Sequence, residues 1–304
     1  MKKQIEPPNR FEGTIDLSID QNNNQISDAV EDLVENLQAL PQELQSEEIE
    51  NFVAKLPISP ETLALQARAQ ELSDSLSTAK TPEEAQLAFD ELAKISSQLQ
   101  EDPVIAKVES DLFSLTGYGI NKNNPSGTPV TFAALRKGDI LARRSWFGFA
   151  FPWAMLYEHT GNYDGSDLVY ESNLFGPAEG VNLRPISQWR SPGQFVGHAQ
   201  NKRVTAGKMA SAVEWAKTKY GTNGRTPYNL LFIDKWTDSA LYCAQLTWKI
   251  NKHLGYDLDS NDWVYLLAMA CRFGGWVLAI VYPAVAPDEV MLSSHVTIKG
   301  EGWR

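Results

Sequence analysis

Hydrophobic side chains recur at intervals of three and four residues over the first third of the chain, the spacing that places them on one face of a helix. Two such stripes are Ile26, Val30, Leu33, Val34, Leu37 and Leu40, and then Leu44, Ile49, Phe52, Val53 and Leu56. At Ser59-Pro60 and at Thr81-Pro82 a hydroxyl residue precedes a proline, and Glu84 completes a capping box with Thr81. A last helix is expected over residues 103–115. The pattern predicts a helical bundle over residues 26–116, preceded by a mobile arm at residues 1–25.

The pattern changes after a linker at residues 117–130 that is rich in glycine, asparagine and proline. Apolar runs bounded by turn residues predict strands at 138–142, 159–163, 168–172 and 180–183, and Asp164-Gly165 predicts a hairpin turn. Helices are expected at 205–220 and 239–254, the second capped by Asp238 or Ser239, and a buried strand at 277–282. The expected fold class is α+β: the helical bundle, then a domain at residues 131–304 with a small antiparallel sheet packed on helices.

Charge separates the two parts of the chain. The protein has 304 residues and a net charge of −11. Residues 1–120 hold 23 acidic and 8 basic side chains, the remainder holds 15 and 19, and every tryptophan, histidine and cysteine lies after residue 120. We therefore expect the chemistry in the second domain, and we expect the acidic helical domain to cover one side of a cleft or to bind a basic protein partner.

Composition and motifs exclude several classes of function. An acidic chain whose second part has only a slight basic excess is not expected to bind nucleic acid, and no phosphate-binding loop is present. No apolar run is long enough to span a membrane and no signal peptide is found, which predicts a cytoplasmic protein, with export by another route left open. Four histidines and two cysteines form no zinc-type cluster, so neither a metal nor a cofactor is expected.

Cys243 is the candidate nucleophile. It lies in about the first turn of the helix predicted at 239–254, where unpaired backbone N–H groups and the helix dipole stabilise an anion. The thiolate is the attacking form of cysteine. The alternative interpretation is a small buried side chain on the helix face. The other cysteine, Cys271, is flanked by apolar residues and is expected in the core.

A nucleophilic cysteine needs a base, and His159, at the start of a predicted strand, is the best candidate. A hydrogen-bonded structural histidine is the alternative interpretation. The other histidines lie between elements, in the last turn of a helix and in a polar tail: His198, His253 and His295.

Glu171 is the candidate that orients the imidazole. If the hairpin pairs symmetrically about residue 165, Glu171 faces His159 on the same side of the sheet. A strict two-residue turn at residues 164 and 165 would instead place Glu171 on the opposite face, as a solvated carboxylate. Glu158 is the second candidate, but adjacent strand residues point to opposite faces.

Aromatic and apolar residues crowd the stretch that precedes His159. They are Trp146, Phe147, Phe149, Phe151, Trp153 and Met155. Core packing or the lining of a cleft is the first interpretation, and an acyl-binding or lipid-facing surface is the second. Trp146 and Trp153 are the candidate substrate-binding residues of this stretch.

Five short motifs, taken in order, resemble those of the circularly permuted papain-fold hydrolases of the YiiX-like type, relatives of the NlpC-type cell-wall peptidases. The motifs are Gly138-Asp139-Ile140, His159-Thr-Gly-Asn-Tyr163, Val169-Tyr-Glu171, Gly180-Val181 and Tyr242-Cys243-Ala-Gln-Leu246. In that family the histidine strand precedes the cysteine helix, as it does here. The resemblance covers about residues 125–300. Ala244-Gln245 departs from it, because relatives often have serine and glutamate there.

The resemblance implies a cysteine hydrolase that works through an acyl-enzyme, with Cys243 as nucleophile, His159 as base and then acid, and Glu171 holding the ring. It implies the backbone N–H of Cys243 as an oxyanion donor and Tyr228 as a phenolic donor, for which a half-buried loop tyrosine is the alternative. Tyr228 and Tyr242 are the candidate substrate-binding residues near the cysteine, in addition to Trp146 and Trp153.

The expected substrate is a small peptide, such as a cell-wall stem peptide with an amide bond to cleave. Lecithin retinol acyltransferase shares the permuted fold, so a lipid or acyl-ester hydrolase or acyltransferase is the second hypothesis. A non-catalytic binding module is the third.

Overall fold

The computed structural model describes residues 13–79, 81–116, 130–144, 153–174, 179–229, 232 and 234–304. Over these residues the chain is α+β, with ten α-helices and one six-stranded antiparallel sheet, so the predicted fold class is confirmed. Residues 1–12 of the predicted arm and residues 117–129 of the predicted linker lie outside the described residues. No helix in the described part of the chain combines the length and apolar composition needed to cross a bilayer.

Five helices form the N-terminal part, as the hydrophobic pattern predicts. They are α1 (Asp28–Ala39), α2 (Gln42–Val53), α3 (Pro60–Thr78), α4 (Pro82–Glu101) and α5 (Pro103–Thr116). The two predicted hydroxyl caps are present: Ser59 Oγ accepts the N–H of Thr62 at 3.1 Å, and Thr81 Oγ1 accepts the N–H of Glu84 at 3.2 Å.

The sheet and the remaining helices follow. The strands are β1 (Ile140–Arg144), β2 (His159–Gly165), β3 (Leu168–Asn173), β4 (Gly180–Pro185), β5 (Phe195–Asn201) and β6 (Val296–Trp303), in the spatial order β4-β3-β2-β1-β5-β6. The helices are α6 (Ala206–Tyr220), α7 (Cys243–His253), α8 (Trp263–Phe273), α9 (Leu278–Val281) and α10 (Pro287–Leu292). Every neighbouring pair of strands is antiparallel.

Two sequence predictions about the elements after residue 235 are wrong. Residues 277–282 do not form a strand, because Gly275–Val277 is a 3-10 turn and α9 follows it. A six-residue apolar run does not by itself distinguish a buried strand from a buried helix. The nucleophile helix was expected to begin near Ser239 and instead begins at Cys243, with Tyr242 as its N-cap.

Contacts divide the structure into two compact units. The first holds the described residues of Met1–Gln70, Ile95–Gly119 and Trp263–Leu278. Within it α8 packs against α2 and α5, and every residue from Val264 to Phe273 is buried. The buried Arg272 forms an ion pair with Glu109 of α5, with Nη2 and Oε1 2.7 Å apart. This unit therefore combines α1, α2, α5 and parts of α3 and α4 with an apolar helix from much later in the sequence.

The second unit holds the described residues of Glu71–Lys94, Ile120–Asp262 and Ala279–Arg304, and it contains the sheet. Helices α6 and α7 pack on one face of the sheet, where Tyr170 and Val181 join their apolar side chains. The opposite face carries a second apolar group that includes Leu141, Val169 and Trp189. Successive strand residues point to opposite faces, so Glu171 lies on the same face as Val169, two residues earlier in β3, and not on the face of Tyr170. This is the face that also carries Trp189.

Candidate active site

Cys243 is the first residue of α7, and its sulfur accepts backbone hydrogen bonds from two directions. The N–H of Ala244 donates to it from the first turn of the helix, and the N–H of Thr160 donates to it from β2. The side chain is 2% exposed. Unpaired N–H groups and the positive end of the helix dipole stabilise a thiolate at this place.

His159 lies between the thiol and a carboxylate. Its Nε2–H donates to Oε2 of Glu171 at 3.0 Å, and its ring also forms a hydrogen bond with the Cys243 side chain. Because Nε2 is engaged by Glu171, the nitrogen that faces the sulfur is Nδ1. The ring packs against Trp189, with centroids 5.5 Å apart. The structure thus brings the three predicted catalytic residues together.

Glu171 is fully buried, and both of its carboxylate oxygens have partners. While Oε2 accepts from His159, Oε1 accepts from Nδ2 of Asn173 at 2.6 Å and lies 3.7 Å from Nε of Arg184. A buried carboxylate needs such partners, because leaving it without them costs several kcal/mol. The fixed carboxylate holds the imidazole in one tautomer and one orientation.

The electrostatics of these groups favour a charged pair. Burial opposes ionisation of the Cys243 thiol, but the charge of His159 and its hydrogen bond to the sulfur outweigh burial and keep the pKa of the thiol below its usual range. Burial also opposes the imidazolium, yet the charge and hydrogen bond of Cys243, together with Glu171, raise the pKa of His159. Burial would raise the pKa of Glu171, and it is lowered instead by His159, with Arg143 and Asn173 adding to the effect.

The strand register differs from the predicted one. Glu171 pairs with Gly161, not with His159, and the turn lies at Ser166 and Asp167, whose φ angles are 51° and 59°. The predicted turn at residues 164 and 165 is therefore wrong. Because the true register differs from the symmetric one by two residues, and side chains alternate with a period of two, Glu171 still lies on the face of His159.

Tyr228 lies directly at the nucleophile. Its hydroxyl donates to the side chain of Cys243, and its oxygen accepts the backbone N–H of Cys243. Burial, followed by the charge of Cys243 and the hydrogen bond to it, raises the pKa of Tyr228 well above its usual value, so the phenol keeps its proton. The phenol therefore keeps a proton that it donates beside the sulfur, and its role as an oxyanion donor stays a prediction.

An aromatic group surrounds Phe232 beside Tyr228. Phe232 contacts four aromatic rings at centroid distances of 5.2 to 6.0 Å: Phe89, Trp153, Tyr228 and Tyr242. Its φ of 53° lies in the left-handed region, which a bulky residue seldom adopts. Phe232 was not among the predicted site residues, because nothing in the local sequence pattern marks a left-handed aromatic residue.

The predicted substrate-binding residues have different surroundings. Tyr228 contacts the sulfur, whereas Trp153 and Tyr242 are buried in the aromatic group. Tyr242 also uses its hydroxyl to accept the N–H of Val285 at 2.8 Å. Trp146 lies outside the described residues. A role in substrate binding stays a prediction for all four.

Gln245 explains where the nucleophile helix begins. Its Oε1 accepts the N–H of Tyr242 at 3.2 Å, and its Nε2 donates to the carbonyls of Asp234, Lys235 and Thr237 at 3.1 to 3.2 Å. The amide thereby satisfies a free N–H at the helix start and fixes the loop before it. A glutamine three residues after the cap position is the sequence signal that could have located the start at Cys243.

The remaining candidates have structural partners elsewhere. Glu158 lies beside Arg144, with Oε1 and Nε 3.6 Å apart, and His198 donates to Asp139 at 2.8 Å. His253 stacks on Trp215 with centroids 3.8 Å apart. Burial raises the pKa of the Cys271 thiol, which disfavours its thiolate. Among the described residues, no group of three or more His, Cys, Asp or Glu side chains could hold a metal ion.

Comparison with protein-family models, with curated proteins and with solved structures finds no match for this chain. The function is therefore inferred from the geometry and chemistry of the side chains around Cys243.

Proposed function

We propose that this protein is a cysteine hydrolase that cleaves an amide bond in a peptide through an acyl-enzyme. One observation carries the proposal: a single imidazole, that of His159, is hydrogen-bonded to a thiol at a helix N-terminus and to a buried carboxylate. Nucleophile, base and orienting group in hydrogen-bond contact are the signature of nucleophilic catalysis.

The reaction proceeds in two halves with these groups. The Cys243 thiolate attacks the carbonyl carbon, the electron pair of the C=O bond moves to oxygen, and its return expels the amine, which takes the proton of the His159 imidazolium. The resulting thioester is attacked by water, from which His159 removes a proton. Collapse of that second intermediate releases the acid and restores the thiolate, while Glu171 keeps the imidazole aligned throughout.

Charge on the carbonyl oxygen is stabilised by donors at the start of α7. The backbone N–H of Cys243 is one donor, and the Tyr228 hydroxyl, which contacts that residue, is the second. The Cys243 N–H donates to the Tyr228 oxygen and the phenol donates to the sulfur, so a substrate carbonyl oxygen receives both donors by replacing these two bonds.

The order of His159, Glu171 and Cys243 along the chain supports the resemblance to YiiX-like permuted papain-fold hydrolases. On that resemblance the substrate is a short peptide, such as one derived from the cell wall. The neutral Gln245 after the cysteine does not weaken this proposal, because it caps the helix through its amide oxygen.

The aromatic group around Phe232 favours a second candidate, an acyl-ester hydrolase or acyltransferase. Apolar rings beside the nucleophile suit an acyl chain, because burying each CH₂ group stabilises binding by about 0.8 kcal/mol. Under this candidate kcat/KM increases with acyl chain length, and the chain is transferred to water or to an added alcohol.

The test compares short peptides with acyl esters of increasing length, using mass spectrometry to identify products. We expect peptide hydrolysis by the wild-type protein and by Cys271→Ala, and none by Cys243→Ser. Turnover of long-chain esters alone would favour the second candidate. Activity of Cys243→Ser equal to that of the wild type would contradict the proposal. The absence of turnover of both peptides and esters would also contradict it, and would favour a non-catalytic binding module.

A further inference from the structure

The Asp288 carboxylate holds the stretch of chain that leads into β2. Asp288 is fully buried in α10, and it accepts three consecutive backbone hydrogen bonds. The donors are the N–H groups of Met155 at 2.8 Å, Leu156 at 2.9 Å and Tyr157 at 3.1 Å. A carboxylate can accept this many bonds at once, and N–H donors to a charged oxygen form strong hydrogen bonds. His159 follows only two residues after the last donor, so Asp288 anchors the backbone from which the imidazole extends.

Val285, three residues earlier, is linked to the other side of the site. Its N–H donates to Oη of Tyr242 at 2.8 Å, and Tyr242 is the residue directly before Cys243. Residues 285–288 therefore contact both sides of the site. One hydrogen bond links Val285 to Tyr242, next to the nucleophile, and three link Asp288 to residues 155–157, just before the base His159. Nucleophile and base come from separate elements, so their separation depends on links of this kind.

We propose that Asp288 is a positioning residue that sets the His159 imidazole against the Cys243 sulfur, with the bond from Val285 to Tyr242 fixing the opposite side. This inference rests on the proposed function of the same site. Proton transfer between sulfur and nitrogen requires hydrogen-bond distance, and a displacement of about 1 Å costs roughly 10²-fold in rate. Loss of the anchor moves the imidazole away from the sulfur and weakens the charged pair.

A purely structural role for Asp288 has a different consequence. In that case its replacement lowers the free energy of unfolding but leaves the pH at which the Cys243 thiolate forms unchanged. The decisive quantity is therefore the thiolate titration of the folded protein, followed by ultraviolet absorbance and referenced to Cys243→Ser. It needs no substrate, so it separates positioning of the imidazole from substrate binding.

The experiment titrates the full-length wild-type protein, His159→Ala, Asp288→Asn and Asp139→Asn. Asp139 is the matched control, because it is also a buried carboxylate with three donors: the N–H of Arg136, His198 Nε2 and Gln200 Nε2. We expect the thiolate population of Asp288→Asn at neutral pH to be roughly 3- to 10-fold lower, a shift of about half to one pH unit toward His159→Ala. Asp139→Asn is expected to titrate like the wild type.

The outcomes separate the two proposals. If Asp288→Asn titrates like the wild type while His159→Ala differs, the positioning role is wrong and the proposed function stands. If wild type and His159→Ala coincide, the sulfur and imidazole do not interact and the proposed function itself fails. Should Asp288→Asn not fold, Asp288→Glu takes its place, since it keeps the charge but displaces the oxygens that accept the N–H groups of Met155, Leu156 and Tyr157. A shift in the same direction supports the inference, and an unchanged titration overturns it.

Discussion

Nε2 of His159 lies 3.0 Å from Oε2 of Glu171, although the two residues are not paired in the sheet. The register places Gly161 opposite Glu171, and His159 is two residues earlier on the same face. The diagonal contact is possible because Gly161 has no side chain between them. A Cβ at this position would lie 3.1 Å from Cβ of Glu171 and 2.7 Å from Cγ1 of Val169.

Gly161→Ala is therefore expected to lower kcat/KM by roughly 10²-fold, because the added methyl group displaces Glu171 and the imidazole with it. Crowding of the packed sheet should also cost about 1–3 kcal/mol of stability. Steady-state kinetics and chemical denaturation measure the two effects. Gly207→Ala is the control, since a Cβ there meets no atom within 4 Å. Wild-type activity in Gly161→Ala would show that the diagonal contact is not needed.

Glu171→Gln keeps the size of the side chain and removes its charge, and we expect kcat to fall roughly 10²-fold or more. The charge of Glu171 raises the pKa of His159, so removing that charge lowers the pKa of His159. The alkaline limb of the pH profile therefore moves to lower pH. A weaker imidazolium stabilises the thiolate less, so the acid limb moves to higher pH. The pH range of activity therefore narrows from both sides. The two apparent pKa values that bound this range belong to the coupled Cys243–His159 pair, not to either residue alone.

The profile of kcat/KM against pH checks this narrowing. Glu214→Gln is a suitable control, because Glu214 is a surface carboxylate whose pKa is lowered by hydrogen bonds to Lys137 and Lys217. Its profile should match that of the wild type. Coincident profiles for Glu171→Gln and the wild type would rule out an orienting carboxylate.

Tyr228→Phe removes one hydroxyl at the nucleophile. If that hydroxyl donates to the developing oxyanion, kcat falls by roughly 10²-fold and KM changes little, because the interaction is made in the transition state. Tyr256→Phe, which removes a hydroxyl bonded to the carbonyl of Arg203, provides the comparison. A change in KM alone would assign Tyr228 to ground-state binding instead.

Local signals account for most of the elements that the sequence predicted. The helices α1 to α6 follow from apolar spacing, proline at the first turn and hydroxyl caps, all of which act within a few residues. The candidates Cys243, His159 and Glu171 were identified from the chemistry of their residue types and from their order along the chain. The hairpin pattern predicted one arrangement in which Glu171 faces His159, whereas the approach of His159 to Cys243 depends on tertiary packing, which the sequence suggested only through a resemblance.

The errors arise where backbone conformation or distant contacts decide the outcome. The hairpin turn lies at Ser166 and Asp167 and not at the predicted residues 164 and 165, because Ser166 and Asp167, with Gly165 before them, adopt positive φ angles. The start of α7 is set by the amide of Gln245 and the loop it holds, not by a hydroxyl cap. Strand β6 pairs with β5 across about a hundred residues, and no local pattern specifies such a pairing.

The buried ion pair between Arg272 of α8 and Glu109 of α5 gives a prediction about stability. Glu109→Ala removes the Glu109 carboxylate from the guanidinium of Arg272, which is 1% exposed. The free energy of unfolding should fall by about 3 kcal/mol, as measured by chemical denaturation. Replacing both charges together, Glu109→Leu with Arg272→Met, should recover most of this loss. A single variant as stable as the wild type would contradict a stabilising role for the pair.

The proposed mechanism requires that the sulfur of Cys243 becomes acylated during turnover. The most direct measurement is mass spectrometry of the full-length protein, quenched in acid during turnover of an activated acyl ester, with peptide mapping of the modified residue. We expect one acyl group, attached to Cys243 as a thioester, which forms more slowly in His159→Ala and is absent in Cys243→Ser. Acylation elsewhere with Cys243 unmodified, or formation at the same rate without His159, would contradict it.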